Sequence, residues 1–192
     1  MKLLKPLLAA ALVSSAFTVN MANAASMTYG TYVGIDYLKT SFVDLPIGEK
    51  KENPGYAIQF GYLFPSSGAL VNGIELEYLN AGSAEYTFNV LGTGSGKVEM
   101  SGFNLSYKPK YYINRFYLSA QVGYAILEGK GKSSFTLGGQ TYSEDFSKKI
   151  DSGLTFGGEL GFDLTERLTM KGGYRVIEAD TDALYAGIAL RF

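Results

Sequence analysis

The residues most able to do chemistry in this chain are charged, and they recur in one kind of setting. Asp36, Glu75, Glu77 and Glu159 supply carboxylates, and Lys171, Arg175 and Arg191 supply cations. Each lies in a segment where bulky apolar residues take every second position. Each falls on the other parity, with Gly, Ser, Thr, Asn and Gln. In an extended strand that spacing sends the charges to the face opposite the apolar side chains. Glu75 and Glu77 share that face, as a pair of carboxylates for acid–base work would need. Opposite charges on the inner face of a narrow enclosure should instead pair, because a lone buried charge is costly. Counting along the hairpins puts Asp36, Glu75, Glu159, Lys171 and Arg175 at similar height. Glu159 falls close to Lys171 across the short connection 165–167, while Lys108 falls toward the end of its strand. A structural ion network is therefore the expected role; a gated ion path or proton-linked switch is the alternative.

Other chemistries are closed off by composition. The 192 residues contain neither His nor Cys. A Ser–His or Cys–His nucleophile, the commonest metal ligand, thiolate metal sites and disulfides are all excluded. Without a histidine base no enzyme is expected, and no cofactor. The formal net charge is −1, so no basic field exists to hold nucleic acid. Residues 89–96 (Asn-Val-Leu-Gly-Thr-Gly-Ser-Gly) are glycine-rich like a phosphate loop but lack its Gly-Lys-Ser/Thr ending; they read as a flexible loop. Glu178, Asp180 and Asp182 offer oxygen ligands of the kind Ca²⁺ takes, on a stretch much shorter than an EF-hand loop. They read as a solvated acidic turn.

The elements that position these residues begin after a leader. Lys2 and Lys5 precede an apolar run from Pro6 to Val13, and Ala22-Asn23-Ala24 is a small-x-small cleavage pattern. Residues 1–24 are expected to be a cleaved signal peptide and 25–192 a single domain. The mature chain would carry 15 basic and 18 acidic residues, a net of −3. Its dominant signal is period two. Eight strands are predicted: 29–37, 56–64, 70–78, 103–107, 116–126, 154–164, 168–176 and 184–192. The connections alternate in length. Those at 65–69, 109–115 and 165–167 are short, whereas 42–55, 80–97 and 128–152 are long. Residues 133–137 and 140–146 are predicted either to extend the fifth and sixth strands or to form a separate hairpin.

A soluble sandwich and a membrane barrel share period two. Three features favour the barrel: a glycine-crowded polar face that suits a narrow interior, aromatic residues near strand ends (Tyr37, Tyr56, Phe64, Tyr78, Tyr107, Phe116, Tyr124, Phe162, Tyr174), and the alternation of short and long connections. The fold class expected is all-β, an eight-stranded antiparallel up-and-down transmembrane barrel. The segment from Gly173-Tyr174-Arg175 through Asp180-Thr181-Asp182 to Leu184–Phe192 resembles the last hairpin of the small eight-stranded outer-membrane barrels, the OmpA/OmpX-like family. That resemblance implies a bacterial outer-membrane location. It also implies that Leu184, Ile188, Leu190 and the terminal Phe192 form the assembly signal read by the barrel-insertion machinery. With the chain ending at Phe192, no periplasmic domain is expected to follow. The function expected is non-enzymatic: a scaffold displaying surface loops, used in adhesion, colonisation or envelope integrity. A narrow porin-like channel or small-ligand binder is the alternative. Expected partners are outer-membrane lipid and lipopolysaccharide, the assembly machinery, and a host or surface ligand met through the loops.

Overall fold

The computed structural model describes residues 29–42, 49–89, 93–137, 140–178 and 181–192. The expected leader and the centre of the acidic 178–182 stretch lie outside them. Eleven strands follow in chain order: β1 (Gly30–Ser41), β2 (Glu49–Asn53), β3 (Gly55–Leu63), β4 (Leu70–Val71), β5 (Gly73–Asn89), β6 (Thr93–Tyr107), β7 (Lys110–Ile113), β8 (Phe116–Leu137), β9 (Gln140–Asp163), β10 (Leu168–Glu178) and β11 (Thr181–Arg191). β1, β3, β5, β6, β8, β9, β10 and β11 form a ring of antiparallel neighbours. The first and last of them pair from Tyr32↔Arg191 to Ser41↔Asp182 and close it. Closure leaves no sheet edge within the ring, the condition for placing backbone amides in hydrocarbon.

The alternation sorts the side chains as the sequence pattern demands. Ile35, Phe60, Leu105, Leu160 and Ile188 stand exposed on the outer wall, while Asp36, Gln59, Asn104, Glu159 and Lys171 are buried inside. An apolar exterior around a polar interior is stable only against lipid.

The short-turn end differs from the expected layout at 109–115. Rather than a seven-residue turn, Lys110–Ile113 forms β7, which continues the β6 wall past Pro109 and pairs with β8 from Lys110↔Ser119 to Ile113↔Phe116. Proline lacks the N–H for the ladder and breaks the alternation locally. The true turn is Asn114-Arg115, with Asn114 at a φ of 58°; asparagine tolerates this left-handed conformation better than most residues. Lys108 consequently sits well inside the barrel instead of near its rim.

The other end also departs from the loops expected there. β5 and β6 remain paired out to Asn89↔Thr93, and β8 and β9 to Leu137↔Gln140. Residues 133–137 and 140–146 thus extend the fifth and sixth barrel strands, and Gly94, Ser95 and Gly96 belong to a strand rather than a flexible loop. With β2 on β5 and β6 on β8, five strands rise from one side of the barrel as a sheet ordered β2-β5-β6-β8-β9. From Glu128 to Leu137 it extends roughly 30 Å at about 3.3 Å per residue, or about 23 Å in height at a tilt near 40°. A bulge at Ala81 redirects β5 at the base of this sheet. Gly82 follows it with a φ of 88°, and a Cβ there would collide with the Asn53 carbonyl.

Candidate functional site: the filled lumen

The barrel interior is built in three layers. At the end bearing the rising sheet lies an apolar cluster of Leu38, Ala57, Leu79, Met100, Leu127 and Ile177, completed by smaller alanines and the Tyr185 ring. At the short-turn end Tyr32, Leu63, Val71, Tyr112 and Tyr117 pack together. Between them lies a lattice of charge.

Glu159, on β9, is the centre of that lattice. Its Oε2 accepts from Lys108 Nζ at 2.9 Å and from Tyr185 Oη at 2.9 Å, while its Oε1 accepts from Tyr117 Oη at 2.8 Å. Lys108 also reaches the Glu75 carboxylate, at 3.2 Å, and Tyr32 Oη donates to Glu75 at 2.7 Å. Lys171 lies 3.6 Å from Glu159 but is held closer by Asp36, at 3.0 Å, and by the Gln59 carbonyl oxygen, at 2.5 Å. Gln59 Nε2 donates to Asp36, and to Glu77 at 3.0 Å. Arg175 Nη1 lies 2.5 and 2.6 Å from the two Glu77 oxygens. Arg191 stands apart, near the short-turn rim, where it pairs with Asp163 and donates to Thr169 Oγ1 at 2.8 Å.

Six of the seven charged residues singled out by parity therefore meet in one connected network, and Arg191 joins a second, smaller one. Glu75 and Glu77 do not act as a pair: each carboxylate is held by a different cation. Asp36, Glu75, Glu77, Glu159 and Asp163 supply five negative charges, and Lys108, Lys110, Lys171, Arg175 and Arg191 five positive. The described lumen is thus neutral overall, which limits the cost of taking so many ions out of water.

Sequence reasoning put these tyrosines on the glycine-rich inner parity but did not assign them to the ion network. Tyr32, Tyr117 and Tyr185 each point inward directly across from a glycine on the neighbouring strand, in the register pairs Tyr32↔Gly61, Tyr117↔Gly161 and Gly173↔Tyr185. A Cβ at Gly61 or Gly161 would lie inside the opposing ring, and one at Gly173 would sit 2.7 Å from the Tyr185 hydroxyl. The glycine leaves room for the ring to lie flat across the strand and for its hydroxyl to reach a glutamate. A signal was present in the sequence: three inward tyrosines and a large excess of inward glycines.

The proposed assembly residues occupy the outer wall of β11 and the position that follows it. Leu184, Ile188, Leu190 and Phe192 are all exposed, and the Phe192 amide donates to the Thr31 carbonyl at 2.9 Å. Of the acidic set, Asp180 lies outside the described residues. No cluster of acidic side chains that could hold a metal ion occurs among the described residues.

A closed ring of eight strands, apolar outside and ionic within, is matched over residues 9–192 by the family model described as outer membrane protein beta-barrel domain. The chain belongs to that family. This outer-membrane barrel accordingly resides in the bacterial outer membrane, with its short turns periplasmic and its long hairpins extracellular. It is similar to Ail, the attachment invasion locus protein of Yersinia pestis, whose structure was solved in complex with the heparin analogue sucrose octasulfate. The identity is 18% and the TM-score 0.48, over 86% of this chain and 100% of that one. It is also similar to Neisserial surface protein A, at 14% identity and a TM-score of 0.41 over 85% and 97% of the two chains. The N-terminal barrel of Pseudomonas aeruginosa OprF is 13% identical with a TM-score of 0.39, over 86% and 100%. No curated protein matches the outer-membrane barrel.

Proposed function

We propose that this outer-membrane barrel is a non-enzymatic scaffold. The membrane-embedded ring anchors an extracellular five-stranded sheet whose surface serves adhesion, colonisation or envelope integrity. The observation that carries this reading is the filled lumen. The ionic lattice is made of side chains that hold one another, and the apolar layer of Leu38, Leu79, Leu127 and Ile177 lies between it and the cell exterior. An eight-stranded barrel is just wide enough for its own side chains. In this reading the lattice is structural, and chemistry with the outside world falls to the raised sheet. Lipid meets the outer apolar belt, and lipopolysaccharide surrounds the sheet's base. The host or surface ligand meets strands β2, β5, β6, β8 and β9 above it. Leu184, Ile188, Leu190 and Phe192 face the insertion machinery during assembly, and residues 1–24 direct export and are removed.

The test is to shorten the sheet without touching the lumen. Replacing residues 130–147 by Asn-Gly joins Gly129 to Lys148, which already pair in register, through a two-residue hairpin turn. Cells carrying this variant at normal outer-membrane level, like cells lacking the chain altogether, are expected to lose attachment to surfaces and host cells, or resistance to envelope stress. Unchanged behaviour on both counts, with the full-length chain active, would refute the scaffold reading.

A further inference from the structure

Lys110 is the one buried lumen cation without a carboxylate in salt-bridge range among the described residues. It projects from β7, 4% exposed, just inside the periplasmic end of the barrel. Its ammonium lies 4.4 Å from the centroid of the Tyr117 ring and 5.1 Å from that of Tyr32. Both tyrosine hydroxyls are committed elsewhere, to Glu159 and Glu75, so the ammonium meets ring faces only. Cation–π attraction offsets part of its desolvation, and no described protein oxygen accepts from its N–H donors, which keep only slight exposure.

Beside it lies a fully buried donor without a partner. Tyr112, two residues further along β7 and 6% exposed, has a buried hydroxyl with no hydrogen-bond partner. Its ring sits 5.2 Å from that of Tyr117, and the Arg191 guanidinium lies 6.0 Å from it. Arg191 and Asp163 neutralise each other, so this end of the lumen carries the one positive charge of Lys110, whose balance lies in the extra carboxylate of the lattice beyond the Tyr32 and Tyr117 rings. Buried donors without acceptors are rare in folded proteins, because each forfeits its hydration. Here the Tyr112 hydroxyl is such a donor, and it neighbours an ammonium without a carboxylate partner on the adjacent inward position of one short strand, near the turn that opens to the periplasm.

We propose that the periplasmic mouth of the lumen is a binding site for a small oxyanion, a carboxylate or phosphate group. The anion is held between the Lys110 ammonium and the Tyr112 hydroxyl, with Arg191 alongside. It supplies the charge and the acceptor atoms that the protein lacks there, while the faces of Tyr32, Tyr112 and Tyr117 wall it off from water. The site is independent of the extracellular sheet and of its proposed use.

The experiment uses the full barrel refolded in detergent, with its lysine and tyrosine side chains isotopically labelled for NMR. Sodium acetate and, separately, inorganic phosphate replace sodium chloride at constant ionic strength and pH. The expected result is a saturable shift of the Lys110 and Tyr112 side-chain resonances. Saturation with acetate alone identifies a carboxylate site, and with phosphate alone a phosphate site. Lys110→Met should abolish the response, Lys110→Arg should retain it, and Tyr112→Phe should weaken it about tenfold, the worth of one hydrogen bond to a charged group. If Lys110→Met fails to refold, the Lys110→Arg and Tyr112→Phe variants still decide the matter. No saturable shift with either anion, or the same shift in Lys110→Met, would overturn the proposal and leave water as the occupant.

Discussion

Glu159→Gln should be among the most damaging single-atom changes in this barrel. The substitution keeps the volume and removes the charge. In the native lattice both carboxylate oxygens only accept: Oε2 from Lys108 and Tyr185, and Oε1 from Tyr117. A glutamine retains one accepting oxygen and turns N–H donors toward groups that themselves donate. Lys108 is left with Glu75 alone, and Lys171 with Asp36. Removing one member of a buried ion pair costs about 3–5 kcal/mol. With a urea m-value of about 2 kcal/mol/M for a chain of this size, the unfolding midpoint should fall by about 1.5–2.5 M. The chain has no tryptophan and 15 tyrosines, so tyrosine fluorescence and far-ultraviolet circular dichroism, with heat-modifiable gel migration, are the suitable probes. A double-mutant cycle sharpens the test. Lys108 lies at 2.9 Å from Glu159 and Lys171 at 3.6 Å, the latter with Asp36 as its nearer partner. Lys108→Met combined with Glu159→Gln should therefore recover about 1–3 kcal/mol relative to the sum of the single losses, and Lys171→Met combined with Glu159→Gln clearly less. Single mutants within about 0.5 kcal/mol of wild type, with additive effects, would refute the claim that these groups are buried partners.

Three further expectations concern other parts of the molecule. Gly61→Ala and Gly161→Ala drive a methyl group into the Tyr32 and Tyr117 rings, whereas a Cβ at Gly153 meets nothing within 4 Å. The first two should lower stability in urea by about 1–3 kcal/mol and Gly153→Ala should be near neutral; equal effects at all three would discredit the tyrosine–glycine pairing. Orientation is open to a clean labelling test because the chain has no native cysteine: a membrane-impermeant maleimide on intact cells should label Lys132→Cys, on the raised sheet, and spare Glu166→Cys, in a periplasmic turn, until the outer membrane is breached. Deleting Phe192 should lower the yield of heat-modifiable barrel in the outer membrane and leave unfolded chain in the periplasm, measured by fractionation; an unchanged yield would remove the assembly role from that residue.

The lumen was legible in the sequence wherever a strand runs without interruption. Asp36, Glu75, Glu77, Glu159, Lys171 and Arg175 each lie in an unbroken alternation, so parity alone sends them inward, and closing the ring gathers them. Partner choice was not legible. Hairpin counting brings Glu159 to Lys171, which lies at 3.6 Å, but Lys108 lies closer, at 2.9 Å, reaching over β8 from the β6–β7 wall. Pro109 hid β7, and with it Lys110 and Tyr112. A chain break in the ladder reads as a turn when only hydrophobicity is followed. The raised sheet was hidden for a different reason. Above the membrane neither face meets lipid, so Ser95, Lys97, Glu99, Glu128, Lys130 and Lys132 carry no apolar alternation, although their backbones stay paired. Bulges at Ala81 in β5 and in β9 opposite Ile126 shift the parity just where those polar strands begin.

The central claim is that the lumen is filled by its own side chains and that the barrel works by what it displays. Planar-bilayer recording of the purified, refolded barrel tests this most directly. The account predicts no discrete conductance across the physiological range of voltage and salt, and openings only when the apolar layer and the lattice are both cut, as in a Leu79→Ala, Leu127→Ala and Arg175→Ala triple variant that still folds. Reproducible unitary openings of the wild-type barrel would contradict it and favour a narrow channel.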